Sequence, residues 1–522
     1  GLMYSVLNQN GIEGVPMENV QDRFQQLMQK RGREALGTYR EVEFVFVDEF
    51  QDITSLRLAT LRAVAPFGAA YVSVIGDPNQ SIYGYERVAN NPQGNIAPGP
   101  YYRMFNEIYQ PGELSLTVNY RSTQAIINAA SDKLPQEDRD LDLTAHNPDS
   151  APNSVTIFEG GDWAGSLRDL VNDGRYQQVA VLFRSNRELY MAFRQARKVA
   201  NTHGFRLRIK GSGSVYVKRR EVAAVLETIK KCIDGEKDVE EELNRLVAQF
   251  SNWDADLIQE VLKAWRYYQE MYPQAPGFLE FEAFLSDLTR REDGQLEELL
   301  RLHFATPAVR EVILSTMHKA KGLEYQCVLL PSGSRAAPLG GNQNTHEQEA
   351  IAEERRLYYV ACSRAKERLV MHNGPREHAL DHGIAFAPAQ HGGGVLYVDP
   401  ETVNTVLSWK ANEARFQRIH NHIRSHIIIG DELTISHNGG GSYLMHGGAH
   451  VENLMANWAN NALQPGRYGG LVVSAIVRYT AEECQEYDRE HKTRYFDGWG
   501  PNAKAKGYIY LVEFHGHLQP LN

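Results

Sequence analysis

Two short, continuously apolar runs, each ending in an acidic turn, constrain this chain more than any other feature. Val42 to Val47 leads into Asp48-Glu49-Phe50-Gln51-Asp52, and Tyr71 to Ile75 leads into Gly76-Asp77-Pro78. A strand that is apolar on both faces needs a covering layer on each side, which is the pattern of parallel sheets. Val20, Phe24, Leu27 and Met28 recur at helical spacing before the first run. Apolar strands separated by helical stretches predict a parallel α/β sheet, with carboxylates at the strand ends where such sheets bind ligands.

The pattern breaks over the polar stretch Thr144 to Ser154 and resumes with Val179 to Phe183 as a strand. Val222, Val225, Leu226, Ile229 and Ile233 then mark one face of a helix. Residues 235–305 are rich in Glu, Leu and Trp, with Leu257, Val261, Leu262 and Trp265 at helical spacing, and predict an all-helical insertion. The α/β pattern returns at Val312 to Leu314 and Val328 to Leu330. From residue 376 the composition shifts toward Gly, His, Asn and Tyr, with strand-like runs at His426 to Ile429, Leu471 to Val477 and Tyr508 to Phe514. A length of 522 residues exceeds what one core supports. The division expected is residues 1–118 as part of a first α/β domain, 119–375 as a second interrupted by the insertion 235–305, and 376–522 as a small β-rich module.

Bulk properties exclude several classes. A hydrophobic share of 42% and a charged share of 23% are those of an ordinary globular protein, not a disordered tail. The net charge of −10 excludes a uniformly basic coat but not a local basic groove. Cys232, Cys327, Cys362 and Cys484 form no C-x-x-C pair, which disfavours a zinc ribbon or a secreted disulfide framework and points to a reducing cytoplasm. No apolar run reaches the ~18 residues of a membrane span, so a cytoplasmic protein with no membrane partner is expected. The first residue is Gly1, from which the expectation is a chain that starts inside a longer reading frame.

Asp48 and Glu49 directly follow a predicted strand. Two such carboxylates suit phosphoryl transfer, Asp48 holding Mg and Glu49 orienting or deprotonating water; a solvated acidic turn is the bland alternative. After the second strand, Gln80 is placed to sense a γ-phosphate, and Tyr83 and Tyr85 to stack on bases. The two tyrosines fit a core equally well.

Four further strings follow in order: Asn119-Tyr120-Arg121-Ser122, Thr316-Met317-His318-Lys319-Ala320-Lys321-Gly322-Leu323-Glu324, Glu353-Glu354-Arg355-Arg356-Leu357-Tyr358-Tyr359-Val360, and Ser363-Arg364-Ala365. With the two acidic turns, the series resembles motifs II to VI of superfamily 1 helicases of the UvrD/Rep/PcrA type, over about residues 40 to 375. The resemblance implies an ATP- and Mg-dependent DNA helicase built on two RecA-like domains, the first truncated here, moving 3′ to 5′ on single-stranded DNA and acting at junctions of single- and double-stranded DNA. It implies that Tyr120 stacks on adenine, Arg121 contacts the γ-phosphate, and Gly322 and Glu324 lie against the nucleotide, Glu324 at the ribose. Arg364 is implied to be an arginine finger carried by the second domain and acting across a cleft, and Thr316 and His318 to face DNA. Residues 376–522 are left as a surface for a protein partner.

The sequence departs from the family in one large respect. It contains no G-x-x-x-x-G-K-[ST] string; the nearest, Gly32 to Thr38, has the glycine spacing but no Lys. The reading is a helicase fragment that hydrolyses ATP poorly by itself, and the alternative is an ATPase-inactive DNA-binding or regulatory subunit. Tyr85-Glu86-Arg87 replaces the family's aromatic-Arg-Gly. His420, His422 and His426 have a spacing compatible with metal, but no partner at a fixed offset supports one.

Overall fold

A computed structural model describes residues 2–13, 20–66, 70–84, 98–134, 143–146, 154–159, 162–210, 216–235, 237–250, 253–273, 277–290, 295–304, 310–331, 345–373, 394–398, 413–438, 441–454, 468–491, 496 and 501–518. The chain packs as two compact units, one comprising residues 1–156, 321–324 and 334–369, the other 157–320, 325–333 and 370–522.

In the first unit, β1 (Phe44–Val47) and β2 (Tyr71–Val74) pair in parallel, Phe44 opposite Tyr71 and Val47 opposite Val74. One face of the pair, Val45, Val47, Val72 and Val74, packs on Phe50, Leu58, Leu61, Tyr101 and Phe105. The helices Ser55–Val64 and Gly99–Tyr109 supply most of that cluster. The opposite face corrects the expectation of a strand buried on both sides: Phe46 is 73% exposed and Tyr71 74%, with Phe44 stacked on Tyr71 at 5.2 Å. The reason is local, since among the described residues the sheet has two strands and no layer covers this side. A second parallel pair, β3 (Val118–Asn119) and β4 (Thr144–Ala145), lies farther along the same unit. Gly32 to Thr38, the string nearest to a P-loop, lies within a kinked 3-10 segment, with Ala35 and Leu36 buried against the helices Leu2–Gln9 and Val20–Arg31.

The second unit is built on a six-stranded sheet of β5 (Val155–Glu159), β6 (Gln178–Phe183), β7 (Arg206–Ile209), β8 (Glu311–Thr316), β9 (Tyr325–Leu330) and β10 (Ala365–Asn373), in the order β5-β10-β9-β6-β8-β7. The first residues of β5 and β10 count with the first unit. β6 pairs in parallel with both β8 and β9, and β7 with β8. The central strands β6, β8 and β9 are buried nearly throughout, as continuous apolar runs require. Between β7 and β8, among the described residues, the chain is helical: Arg220–Gly235, Val239–Gln249, Ala255–Met271, Phe278–Arg290 and Gln295–Phe304 share one core that includes Leu257, Val261, Leu262 and Trp265. Of the predicted helix face, Val222, Val225, Leu226 and Ile229 are buried in it, whereas Ile233 is exposed near the helix end.

The C-terminal part carries β11 (Gly394–Val398), β12 (Glu432–Asn438), β13 (Gly441–His446), β14 (Ala449–Leu454), β15 (Tyr468–Thr480) and β16 (Tyr508–Leu518), ordered β11-β16-β15-β12-β13-β14 with antiparallel pairing. His426 to Ile429 is not a strand as expected but the turn after the helix Glu413–Ser425. Its backbone is claimed by turn bonds: His426 N donates to His422 O, and Ile428 N to Asp431 Oδ2. The next residue, Gly430, has φ +85, and a Cβ there would lie 2.8 Å from the carbonyl of Tyr190, so only glycine lets this turn approach the helix Asn186–Thr202. No described helix is long and apolar enough to cross a membrane. All four cysteines are buried and free.

Candidate active site

The acidic turns sit at the C-terminal ends of β1 and β2. Asp48 is exposed, and its Oδ1 accepts from the Glu49 amide at 2.9 Å. Glu49 adopts a left-handed backbone, φ 53 and ψ 43, uncommon for a residue with a Cβ and typical of strained functional positions. The following turn buries Gln51, whose Nε2 donates to Glu49 Oε2 and whose Oε1 accepts from the Asp77 amide at 3.1 Å. That contact makes Gly76 obligatory. A Cβ there would stand 2.5 Å from Gln51 Oε1 and 3.0 Å from the Phe50 amide.

Asp77 organises the second turn. Its Oδ1 caps the Asn79 amide at 2.9 Å, and its Oδ2 accepts from Gln80 Nε2 at 3.0 Å and from the Tyr359 hydroxyl at 3.2 Å. Burial and the Asp77 charge push the Tyr359 phenol well above its ordinary range, so it stays a donor. The helix Thr345–Cys362 carries Tyr359 and docks on the same turn: Glu353 accepts from the Gly84 amide at 2.9 Å, and Arg356 Nε donates to Ser81 O at 3.0 Å.

Arg364 follows that helix and is 2% exposed. Its Nη2 donates to Gln80 Oε1 at 3.2 Å and to Ser363 Oγ at 2.9 Å; Nε bonds to Val360 O and Nη1 to Leu323 O. Burial, then the charge of Arg121, push its pKa down to about 10, which leaves it cationic at neutral pH. The packing places Arg364 in the same unit as Asp48 and Glu49, where the sequence reading assigned it to the second α/β domain. Sequence order placed it there; docking of its helix on the Asp77 turn decides the grouping.

Arg121 is held from both sides. Asn119 Oδ1 accepts from the Arg121 and Ser122 amides at 2.9 Å each, while Arg121 Nε donates to Glu324 at 3.0 Å and Nη1 to Ser363 O at 3.3 Å. Lys366 also pairs with Glu324, and its hydrogen bond, then that of Arg121, holds the Glu324 carboxyl below the usual range. Tyr120 projects a ring that is 69% exposed, beside the His146 imidazole at 4.5 Å. Gly322 is exposed in the turn before Glu324, at φ +79.

Sequence reasoning gave no role to Lys321, Asp52, Gln51, Asp77 or Tyr359, although each lies in a string that drew attention. Lys321 is 7% exposed, 2.5 Å from Asp52, 3.5 Å from Glu49 and 5.0 Å from the centroid of the Tyr83 ring. Tyr83 is half-buried, and Tyr85 lies outside the described residues, as do Glu86 and Arg87. Thr316 and His318 belong to the second unit. Thr316 is buried at the end of β8, and His318 is half-buried in the turn beyond. The first unit therefore gathers Glu49, Gln80, Arg121, Glu324 and Arg364. A second guanidinium, Arg121, close enough to lower the pKa of Arg364 suits a polyanion, and the hard oxygen of exposed Asp48 suits Mg. Among the described residues no three metal-ligating side chains converge, the histidines of the C-terminal part included.

A parallel sheet whose acidic strand ends lie in one unit with Gln80, Arg121 and Arg364 is consistent with a superfamily 1 helicase fold. Comparison with known proteins supports that class, and the chain is similar to helicases of the UvrD/Rep/PcrA type. Residues 17–93 match the UvrD/REP helicase N-terminal domain and residues 241–373 the UvrD-like helicase C-terminal domain. Among its relatives, the ATP-dependent DNA helicase PcrA of Staphylococcus aureus is 21% identical over 429 residues, 65% of this chain and 56% of the relative. The ATP-dependent DNA helicase UvrD2 of Mycobacterium tuberculosis is 24% identical over 355 residues, 62% of this chain and 46% of the relative. The chain thus spans about half the length of the curated relatives it matches.

Proposed function

We propose that this chain carries the γ-phosphate-sensing and charge-stabilising part of an ATP-dependent DNA helicase that translocates 3′ to 5′ on single-stranded DNA and opens junctions with duplex, in the cytoplasm. The observation that carries the reading is the direct contact of Arg364 with Gln80, in one unit with Glu49 and Arg121. Gln80 reads the terminal phosphate, Arg121 and Arg364 neutralise charge that develops on it, and Glu49 orients the attacking water. Asp48 would hold Mg, which supplies charge neutralisation when bound. Tyr120 offers its exposed face to adenine, and Glu324 stands by Arg121 for the ribose. Tyr83, with Tyr85, Thr316 and His318, is assigned to DNA, and the β-rich C-terminal part to a protein partner.

The deciding experiment is Glu49→Gln in the full-length protein, read as DNA-stimulated ATP hydrolysis beside nucleotide affinity. Binding is expected to persist while turnover falls by about 10³ or more. Turnover within a few-fold of the parent removes Glu49 from catalysis. A second reading, an ATPase-inactive DNA-binding subunit, draws on the lack of a G-x-x-x-x-G-K-[ST] string in these 522 residues; it predicts no DNA-stimulated hydrolysis in the parent either.

A further inference from the structure

Four hydrogen bonds run in series from Glu49 to Arg364. Gln51 Nε2 donates to Glu49 Oε2, Asp77 N to Gln51 Oε1, Gln80 Nε2 to Asp77 Oδ2, and Arg364 Nη2 to Gln80 Oε1. The partners fix both amide orientations. A backbone N–H can only donate, so Gln51 must turn its oxygen to Asp77 and its NH₂ to Glu49; a guanidinium can only donate, so Gln80 must turn its oxygen to Arg364. Gln51 is 1% exposed and lies where Gly76 leaves room for its oxygen. Its amide is therefore a built bridge between the two strand ends.

We infer that Gln51 is a positioning residue for ATP hydrolysis: it holds the Glu49 carboxylate in its working orientation and ties it to the turn that carries Gln80 and, through it, Arg364. This rests on the role given to Glu49 above. Its physical basis is that Glu49 is half-exposed on a left-handed backbone, so a carboxylate on a flexible stem would otherwise sample several rotamers. The Gln51 NH₂ restricts it with a charge-assisted bond. Any rearrangement of Gln80 or Arg364 around a terminal phosphate is then felt at Glu49 through Asp77 and Gln51, because each buried member has its polar groups committed.

The test uses the full-length protein with Gln51→Met, Gln51→Glu and Glu49→Gln, following kcat and KM for ATP from pH 5.5 to 9 with saturating single-stranded DNA. Gln51→Met keeps the volume and removes the bridge; about a tenfold fall in kcat is expected, with KM within about threefold, in a protein still folded at the assay temperature although the unpaired Asp77 amide lowers its thermal midpoint modestly. Gln51→Glu still accepts from the Asp77 amide but faces Glu49 with a second carboxylate, so the two share a proton at neutral pH. The acidic limb of its kcat profile is expected to move up by about one pH unit, with activity recovering as pH rises. A purely structural Gln51 would likewise lower the thermal midpoint but leave that limb in place, which overturns the inference, as does a Gln51→Met kcat equal to that of the parent. If Glu49→Gln keeps parental turnover, the reading of the site fails instead. The two failures are distinguished by which substitution is silent.

Discussion

Arg364 donates through Nη2 to Gln80 Oε1 at 3.2 Å, so the arginine assigned to charge neutralisation and the amide assigned to phosphate sensing touch before any nucleotide is considered. All three nitrogens of Arg364 are engaged, with Val360 O, Leu323 O, Ser363 Oγ and Gln80. Arg364→Ala in the full-length protein is expected to lower DNA-stimulated ATP turnover by about 10³ or more while leaving nucleotide-free DNA affinity nearly intact. Arg364→Lys should rescue little, because an ammonium cannot reproduce the planar fork. Turnover within a few-fold of the parent would exclude the role.

Arg220 joins the helical region to the C-terminal part inside the second unit. Its Nη1 donates to the carbonyls of Ile423, Arg424 and Ile427 at 3.1, 3.0 and 2.9 Å, its other nitrogens bond to Glu221, and Trp253 flanks it at 5.1 Å. Arg220→Met strips the buried carbonyls of Ile423 and Ile427 of this donor, leaves Arg424 O with Trp253 Nε1 at 3.0 Å, and removes the partner of Glu221. A loss of about 3 kcal/mol in unfolding free energy is expected by urea titration. A change under about 1 kcal/mol would show that water replaces the guanidinium.

The helix Glu413–Ser425 makes stability depend on pH. Burial, helped by the charges of Lys506 and Arg424, pushes His420 down to about 4 from 6.5. Burial, then His446 and His426, lower His422 as well, and His422 Nε2 stands 3.0 Å from His446 Nδ1. His420 is neutral in the fold but takes up a proton when unfolded, so its contribution is full above pH 6.5 and is lost as pH falls toward 4, and His422 acts in the same direction. For His420 this amounts to about 3 kcal/mol. Denaturation midpoints measured at pH 7.5 and 5 should differ in the parent and differ less in His420→Phe, which keeps the ring against Tyr510. An equal drop in both would remove His420 as a cause.

Among the described residues nothing covers the Phe46 and Tyr71 face of β1 and β2, so large side chains there are expected to be dispensable for the stability of this 522-residue chain. Phe46→Thr is expected to change unfolding free energy by less than about 0.5 kcal/mol, whereas Leu58→Ala, on the packed side, should cost about 2 to 5 kcal/mol. A cost above about 1.5 kcal/mol for Phe46→Thr would mean that something covers this face.

What the chain's order of residues determined was local. Apolar runs ending in Asp-Glu and Gly-Asp-Pro specify strands with acidic ends, because period and turn chemistry act over a few residues, and β1, β2, β6, β8 and β9 fall where the runs lie. The helical stretch from Val239 to Phe304 was legible for the same reason, as were the strings that mark the family. Tertiary structure decided what depends on partners distant in sequence. An apolar strand does not reveal whether a second layer covers it, so the exposure of Phe46 and Tyr71 was hidden, and the His426 to Ile429 run has the composition of a strand but a backbone used up by a turn. The grouping of Arg364 with Asp48 depends on the helix Thr345–Cys362 docking on the Asp77 turn, more than 260 residues away by the Glu353 to Gly84 bond. The Gln51 bridge and the Lys321 pair with Asp52 were hidden for one physical reason: a buried polar group is defined by the donor or acceptor that satisfies it, and in both cases that partner comes from another part of the chain.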